Sequence, residues 1–577
     1  MGYLKNFINL ISIIGTKKSY LILLVFLMLV SSLIDILSLS LIIPYVSGIL
    51  NLQDSSSSFY FFDISFLKTY SQQNLIFFLT LSLIIVFFIK AIFSILIRWM
   101  ISIFSFKQFA ILQVKVLNAY QNMNYEDHIS RSNSEYIRNI RELCGECLTN
   151  IELTLKSLSE IIVLLVIVLF LGFVNYKILF LFFFTILPIF IIYEIFLKKV
   201  NIKLGAKKIE AMGKMYNNID VSMRGHKEIK VLQKESFFKK NLEKFANIVY
   251  ETQKKSVLIT DSPRYVFEFL IVLVSLSLIL ISSKNFDLNN YIPIVSMYCL
   301  AAIRLLPSIT FLASSLSRVA YGHSAVSTIV GDLKKLEDEG NNKKQVFTEE
   351  FKNLKIQNID FFYKNTGASI LENVDFELKK NDCIGIMGKS GEGKTTLIDI
   401  MLGLLKPQKG EIIINGKLID NYGSNFFDSI AYVPQEPVIL DEKISTNVSL
   451  EIDEKKIDFE KLKFAINQAN LEEVVKNLPK KIETVVGANG IRLSGGQNKR
   501  LALSRAFYHG KKIIIIDEAT SALDFETESN IAEEIKNLKG KTTIVIISHN
   551  ENILKYCNRI YSIKDKSIKL LKKNENN

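Results

Sequence analysis

Cysteine is scarce: the 577 residues hold five, Cys144, Cys147, Cys299, Cys383 and Cys557. Five scattered thiols build no disulfide scaffold, and a reducing compartment is the default that follows. Cys144 and Cys147 form a CxxC without a second ligand pair nearby, so two small residues on one helix is a simpler reading than a zinc or redox centre. Charge is also short. Only 22% of residues are charged against 49% hydrophobic, and mean hydropathy is +0.25. At about 150 residues per domain the chain would hold roughly four soluble domains. Soluble domains carry about 25% charge, however, so this apolar surplus implies that part of the chain is solvated by lipid. A cleavable signal peptide is lacking too, because the first apolar run, from Tyr20, is too long for an h-region and meets no small-residue cleavage site. The net charge of +13 comes without interleaved aromatics or a groove-reading motif, which argues against a nucleic-acid partner.

What the chain does have is long apolar runs, near residues 20–43, 75–103, 158–174, 178–197, 265–283 and 291–317. About 20 residues cross a hydrocarbon core about 30 Å thick, so six transmembrane helices are expected. Asn175, Tyr176 and Lys177 alone separate the third run from the fourth, which demands a tight turn. The stretch from Lys198 to Arg264 holds sixteen Lys/Arg against seven Asp/Glu, 16 − 7 = +9. The positive-inside tendency places that stretch, and both termini with it, in the cytoplasm. Between the first two runs, Phe59, Phe62, Phe66 and Tyr70 recur at helical spacing after Ser55–Ser58. They form either an interfacial amphipathic helix or a stripe packed on the outer helix ends.

Beyond about Val330 the apolar runs stop. Residues 1–325 are expected to form the membrane domain, 326–345 a linker and 346–577 a soluble α/β domain. In this last part the strand-like run Cys383–Met387 leads directly into Gly388, Lys389, Ser390, Gly391, Glu392, Gly393, Lys394 and Thr395, a complete G-x-x-x-x-G-K-[ST], with Thr396 next. Glycines there let backbone N–H groups wrap a β-phosphate, Lys394 reaches the β and γ oxygens, and the Thr395 hydroxyl ligates Mg²⁺. A nucleoside triphosphate site follows. Downstream, Ile513–Ile516 ends in Asp517 and Glu518, a buried strand with two carboxylates at its carboxyl end. Asp517 is then the metal-side acid and Glu518 the general base of phosphoryl transfer.

Leu493, Ser494, Gly495, Gly496 and Gln497 precede a basic helix-like stretch. With the phosphate loop and the Asp-Glu strand end, in this order and spacing, they resemble the nucleotide-binding domain of ABC transporters. Six spans followed by one such domain resemble an exporter-type half-transporter, so the fold expected is a polytopic α-helical membrane domain fused to an α/β P-loop ATPase domain. The resemblance implies ATP and Mg²⁺ as cofactors, with Tyr363 stacked on adenine and Gln435 joining the metal and the attacking water to the membrane domain. It also implies that Ser521–Asp524 is the D-loop, that His549 is the switch histidine, and that Ser494, Gly495, Gly496 and Gln497 close on ATP held by another domain. Residues Met223–Lys230 and Asn124–Ile137 are similar to the exporter coupling helices. One departure is Ala488, in Val486-Gly-Ala-Asn-Gly490, where exporters commonly carry an acid; the usual coupling contact of that loop is thereby in doubt.

A single phosphate loop and a single signature cannot complete an ATP sandwich, so two chains are required. A homodimer is the simplest assembly and a heterodimer the alternative. Lys90 and Arg304 lie inside apolar runs, where an ionisable group costs at least about 2.5–3.5 kcal/mol and normally faces a cavity or a partner. Asp35 and Glu268 lie inside runs as well, so internal ion pairs compete with a cavity, while Arg98 snorkels to the interface. The Arg304-Leu-Leu-Pro-Ser308 element and the aromatic outer segment are similar to the flippases of lipid-linked oligosaccharides. That resemblance implies a polyprenyl-pyrophosphate glycan as substrate in a bacterial inner membrane, met by Arg304 with Lys90 or Arg318. Export of a peptide, drug or other amphiphile is the alternative; a regulatory or channel subunit that does not pump is the alternative of another class.

Overall fold

The computed structural model describes residues 18–41, 45, 72–174, 176–285, 288–340, 350–363, 367–418, 429–487, 490–517, 532–533 and 535–573. The aromatic segment 59–70, the turn residue 175, Ala488, Glu518 and the stretch 521–524 lie outside them. Two compact units emerge: residues 1–123 with 130–340, and residues 124–129 with 341–577.

The first unit is helical. Its elements are α1 (Lys18–Ser40), α2 (Gln72–Gln121), α3 (Tyr125–Ile129, grouped with the second unit), α4 (Asn133–Arg138), α5 (Cys144–Val174), α6 (Tyr176–Arg224), α7 (His226–Val231), α8 (Glu235–Asn285) and α9 (Leu288–Gly340). A π-helical turn, Asn139–Leu143, joins α4 to α5. At 1.5 Å per residue the 50 residues of α2 extend about 75 Å, more than twice a hydrocarbon core. Such helices run far past the apolar stretch that seeds them. In α6, for example, apolar residues to about 197 give way to Lys-, Glu- and Ala-containing sequence that keeps helical propensity and holds no proline.

Burial in this unit is inverted. Phe77, Phe88, Ile95 and Trp99 on α2 are exposed, whereas Asp35, Ser32, Ser38, Ser105 and Gln108 are buried. Apolar side chains facing outward and polar ones inward are what a lipid solvent selects. Among the described residues Ser19–Ser40, Ile76–Gln121 and Asn133–Phe173 are long and apolar enough to cross a membrane. The other three expected runs lie on α6, α8 and α9, whose side chains are described only in part. Within the region expected as a linker, α9 continues helical to Gly340. Ala325, Val326, Ile329 and Leu333 fall on one helical face and pack into the core with Leu112, Val116 and Leu143, which holds the helix beyond the last span.

In the second unit β1 (Asn353–Phe362), β2 (Ser369–Lys379), β4 (Lys409–Ile414) and β5 (Lys417–Leu418) make an antiparallel sheet in the order β2-β1-β4-β5. A six-stranded sheet follows the order β12-β11-β3-β10-β9-β6, with β3 (Cys383–Met387), β6 (Ile430–Val433), β9 (Ile513–Asp517), β10 (Thr543–Ile547), β11 (Arg559–Lys564) and β12 (Ser567–Lys573). All its pairs are parallel except β11 with β12. Between the sheets α10 (Lys394–Met401) buries Leu397, Ile398 and Ile400 against Phe361, Leu371 and Val545. The short ribbon β7 (Glu442–Lys443) and β8 (Val485–Val486) and helices α11 (Ile444–Ser449), α12 (Phe459–Gln468) and α13 (Gly495–Tyr508) form a smaller subdomain with its own core.

Candidate nucleotide site and buried charge clusters

Strand β3 has no polar side chain and is covered on both faces, as a central parallel strand must be. It delivers the phosphate loop to the carboxyl edge of the sheet, between β10 and β11. The loop turns on Gly391 and Gly393, at φ +84° and +95°. Those left-handed conformations favour glycine, and a Cβ on Gly393 would also press to 3.0 Å from Ile370 Cγ2. Gly393 caps α10, whose first N–H groups face the loop. The Lys389 N–H donates to Glu392 Oε2 at 2.6 Å, which closes the loop on itself.

Lys394 is buried, and its ammonium donates to the carbonyls of Gly388 at 2.6 Å and Lys389 at 3.0 Å. It also lies 3.2 Å from His549 Nε2. That histidine follows β10 by two residues, and the pairing of β10 with β3 brings the two strand ends level. Two residues 155 apart in sequence thus meet. Thr395 is exposed at the mouth, while Thr396 points inward with its hydroxyl 3.3 Å from that of Tyr363. The Tyr363 ring stands edge-on to Phe361, the centroids 5.0 Å apart, so this aromatic is seated beside the loop.

Asp517 ends β9 and is buried; the Tyr432 hydroxyl donates to its Oδ2 at 3.1 Å. Gln435 follows β6, two residues beyond Val433, which pairs with Ile516 of β9. Thr395 hydroxyl, Gln435 amide oxygen and Asp517 carboxylate are hard oxygen donors, and a buried carboxylate beside a second one, Asp399, is an environment that welcomes a divalent cation. The residues present therefore fit Mg²⁺. Ser494 and Gln497 bond to each other, Ser494 N–H to Gln497 Oε1 at 2.8 Å and Gln497 N–H to Ser494 Oγ at 3.3 Å, a capping box that fixes the start of α13 at Gly495 and Gly496.

Sequence reasoning missed Asp399, Tyr432 and Tyr125. An acid within Leu-Ile-Asp-Ile-Met was the available signal for the first. Burial, with Asp517 beside it, pushes the Asp399 carboxyl up to about 7 from an ordinary 3.8. The folded chain keeps a proton that the unfolded chain releases near pH 4, so stability falls as pH rises from about 4 to about 7 and levels off above. With chelator present and nucleotide absent, Asp399→Asn is expected to flatten that decline and raise the unfolding temperature above neutrality. A variant with the wild-type pH slope would contradict this.

The substrate residues expected in the membrane unit are brought into ion pairs. Asp35 on α1, 1% exposed, accepts from Arg304 on α9 at 3.0 and 3.3 Å and pairs with Lys90 on α2. Glu146 on α5 pairs with Lys208 on α6 at 2.8 Å and with Arg318 on α9 at 3.0 Å. Lys90 and Arg304, for which an ion pair and a cavity were both open, form ion pairs with Asp35, and Arg318, expected only as a substrate contact, pairs with Glu146. Each cluster nonetheless sets two cations against one carboxylate. Arg98 is exposed on α2, and among the described residues no group of three His, Cys, Asp or Glu could hold a metal.

Residues 371–521 match the family model described as ABC transporter. A lipid A-core flippase of Cupriavidus metallidurans is 34% identical over 209 residues, 36% of this chain and 35% of that one. A lipid A-core flippase of Haemophilus influenzae is 27% identical over 394 residues, 66% of this chain and 65% of its own. A multidrug resistance ABC transporter ATP-binding and permease protein of Lactococcus lactis is 27% identical over 63% of this chain and 61% of its own. The chain thus spans between about a third and just under two thirds of these curated relatives. Among solved structures a bacterial Atm1-family ABC exporter with ATP bound superposes with a TM-score of 0.80 over 96% of this chain and 94% of that one, at 16% identity.

Proposed function

We propose, from the match of residues 371–521 to the ABC transporter family model and from the exporter fold of the chain, an ATP-driven exporter or flippase that works as a homodimer. The observation that supports the reading is the meeting of Lys394 with His549 beyond the carboxyl ends of β3 and β10, with Asp517 ending the neighbouring parallel strand β9. Loop and helix N–H groups with Lys394 hold the phosphates, Thr395, Gln435 and Asp517 hold Mg²⁺, and bound Mg²⁺ supplies neutralisation of phosphate charge. His549 senses the γ-phosphate through the place it shares with Lys394, and Glu518, next after Asp517, takes the proton of the attacking water. Each signature closes on the other chain's ATP, so binding draws the domains together and hydrolysis releases them, with α3 and α7 passing the motion to a multi-pass membrane domain. The nucleotide domains and both termini face the cytoplasm of a bacterial inner membrane.

For the cargo we propose a lipid-linked oligosaccharide carried on polyprenyl pyrophosphate. Two features support an anionic lipid-borne glycan: the +1 remainder on the Asp35–Lys90–Arg304 cluster among apolar helices, and relatives named for flipping lipid A-core. Guanidinium groups bind phosphate bidentately, and Arg304 keeps part of its side chain exposed. In liposomes, Arg304→Ala is expected to slow ATP-dependent transfer of such a glycan by about tenfold or more, with ATP hydrolysis in detergent retained. Wild-type transfer by this variant would exclude the pyrophosphate contact.

A further inference from the structure

Three polar side chains outside the motifs, Tyr432, Asp399 and Tyr125, cluster beneath the proposed metal site. Strands β6 and β9 are neighbours, with Tyr432 paired to Ile515, and this register carries the Tyr432 hydroxyl to Asp517 Oδ2 at 3.1 Å. Asp399, on the buried side of α10, interacts electrostatically with both Asp517 and Tyr432. Tyr125 of α3 packs half-buried against the core of the nucleotide unit and interacts with Asp399, Tyr363 and Tyr432. The segment 124–129 is a part of that unit although the chain on either side of it belongs to the helical one. The cluster thus runs from an insert of the membrane domain to the strand end that bears the metal-side acid.

Resting on the reading of this site as one for Mg²⁺ and ATP, we propose that Tyr432 is a positioning residue for Asp517, and that Tyr125 is the membrane-domain end of the same polar cluster. A carboxylate that ligates a metal through one oxygen is oriented by the partner on its other oxygen, and loss of such a partner typically costs metal affinity about 10-fold or more. The Tyr432 phenol occupies that place on Oδ2. Tyr125 bears on it through its packing on the core of the nucleotide unit and through its proximity to the phenol, so a shift of α3 changes the surroundings in which Asp517 is held.

The test uses the purified full-length protein, its thermal unfolding followed as Mg²⁺ is added with the non-hydrolysable analogue AMP-PNP. Tyr432→Phe is expected to raise the Mg²⁺ midpoint of stabilisation about tenfold, while stabilisation by the nucleotide in chelator stays at its wild-type value. Tyr125→Phe is expected to shift the midpoint in the same direction by less, and the double variant to match Tyr432→Phe alone, because interacting sites are not additive. Should Tyr432→Phe fail to accumulate, Tyr432→Met, which keeps apolar volume without a donor, must show the same shift. An unchanged midpoint in the Tyr432 variant overturns the positioning role, and additive shifts overturn the part given to Tyr125. If the wild type gains no stability from AMP-PNP with Mg²⁺, the ATP-site reading fails instead.

Discussion

Lys394→Ala is expected to cut ATP hydrolysis by at least about a hundredfold, the usual cost of losing one preorganised charge-stabilising donor. The ammonium is buried, fixed by two loop carbonyls and set 3.2 Å from His549, so its place is prepared before any phosphate arrives. Removing it takes away positive charge where the transferring phosphoryl group carries its negative charge, in a site of low dielectric. Arginine is no substitute, because its planar fork does not fit a slot built for a compact ammonium. Phosphate release by the purified variant checks this, with thermal unfolding as the control for folding. Hydrolysis within tenfold of wild type would remove Lys394 from the account.

The second large effect is expected in the membrane unit. Asp35→Asn leaves Lys90 and Arg304 facing each other around a buried position with no counter-charge among the described residues. Breaking a buried pair by deleting one partner costs about 3–5 kcal/mol, mostly the price of the charge left behind. Arg304→Met, by contrast, leaves Asp35 still paired with Lys90, and its loss should be distinctly smaller. Unfolding temperatures of the two variants in one detergent give the comparison. Equal stability of Asp35→Asn and wild type would mean that the cluster does not hold α1, α2 and α9 together.

The nucleotide site was legible because its chemistry is local. Gly388–Thr395 must be contiguous to wrap a phosphate, and Cys383–Met387 and Ile513–Ile516 must be apolar to sit inside a sheet. The helix lengths were not legible, since Lys198–Arg224 extends α6 by propensity and length, with no apolar run to mark it. The linker expected over 326–345 rested on the polar residues after Glu337, while Val326, Ile329 and Leu333 already carried a helical face. The pairing of Asp35 with both Lys90 and Arg304 depends on how three helices rotate about their axes, which their residues do not state one helix at a time. Tyr432 escaped notice for a similar reason: its hydroxyl matters only once β6 and β9 are known to be neighbours.

ATP-fuelled transport by a pair of chains is the central expectation for this protein. The direct measurement places the purified protein in sealed liposomes with a fluorescent polyprenyl-pyrophosphate glycan and follows its transfer between leaflets. Transfer that requires Mg²⁺ and ATP, stops in Lys394→Ala and stops when one chain of each dimer carries that substitution is the predicted result. Transfer that proceeds at the same rate without ATP, or ATP hydrolysis at full speed by an isolated monomer, would contradict it.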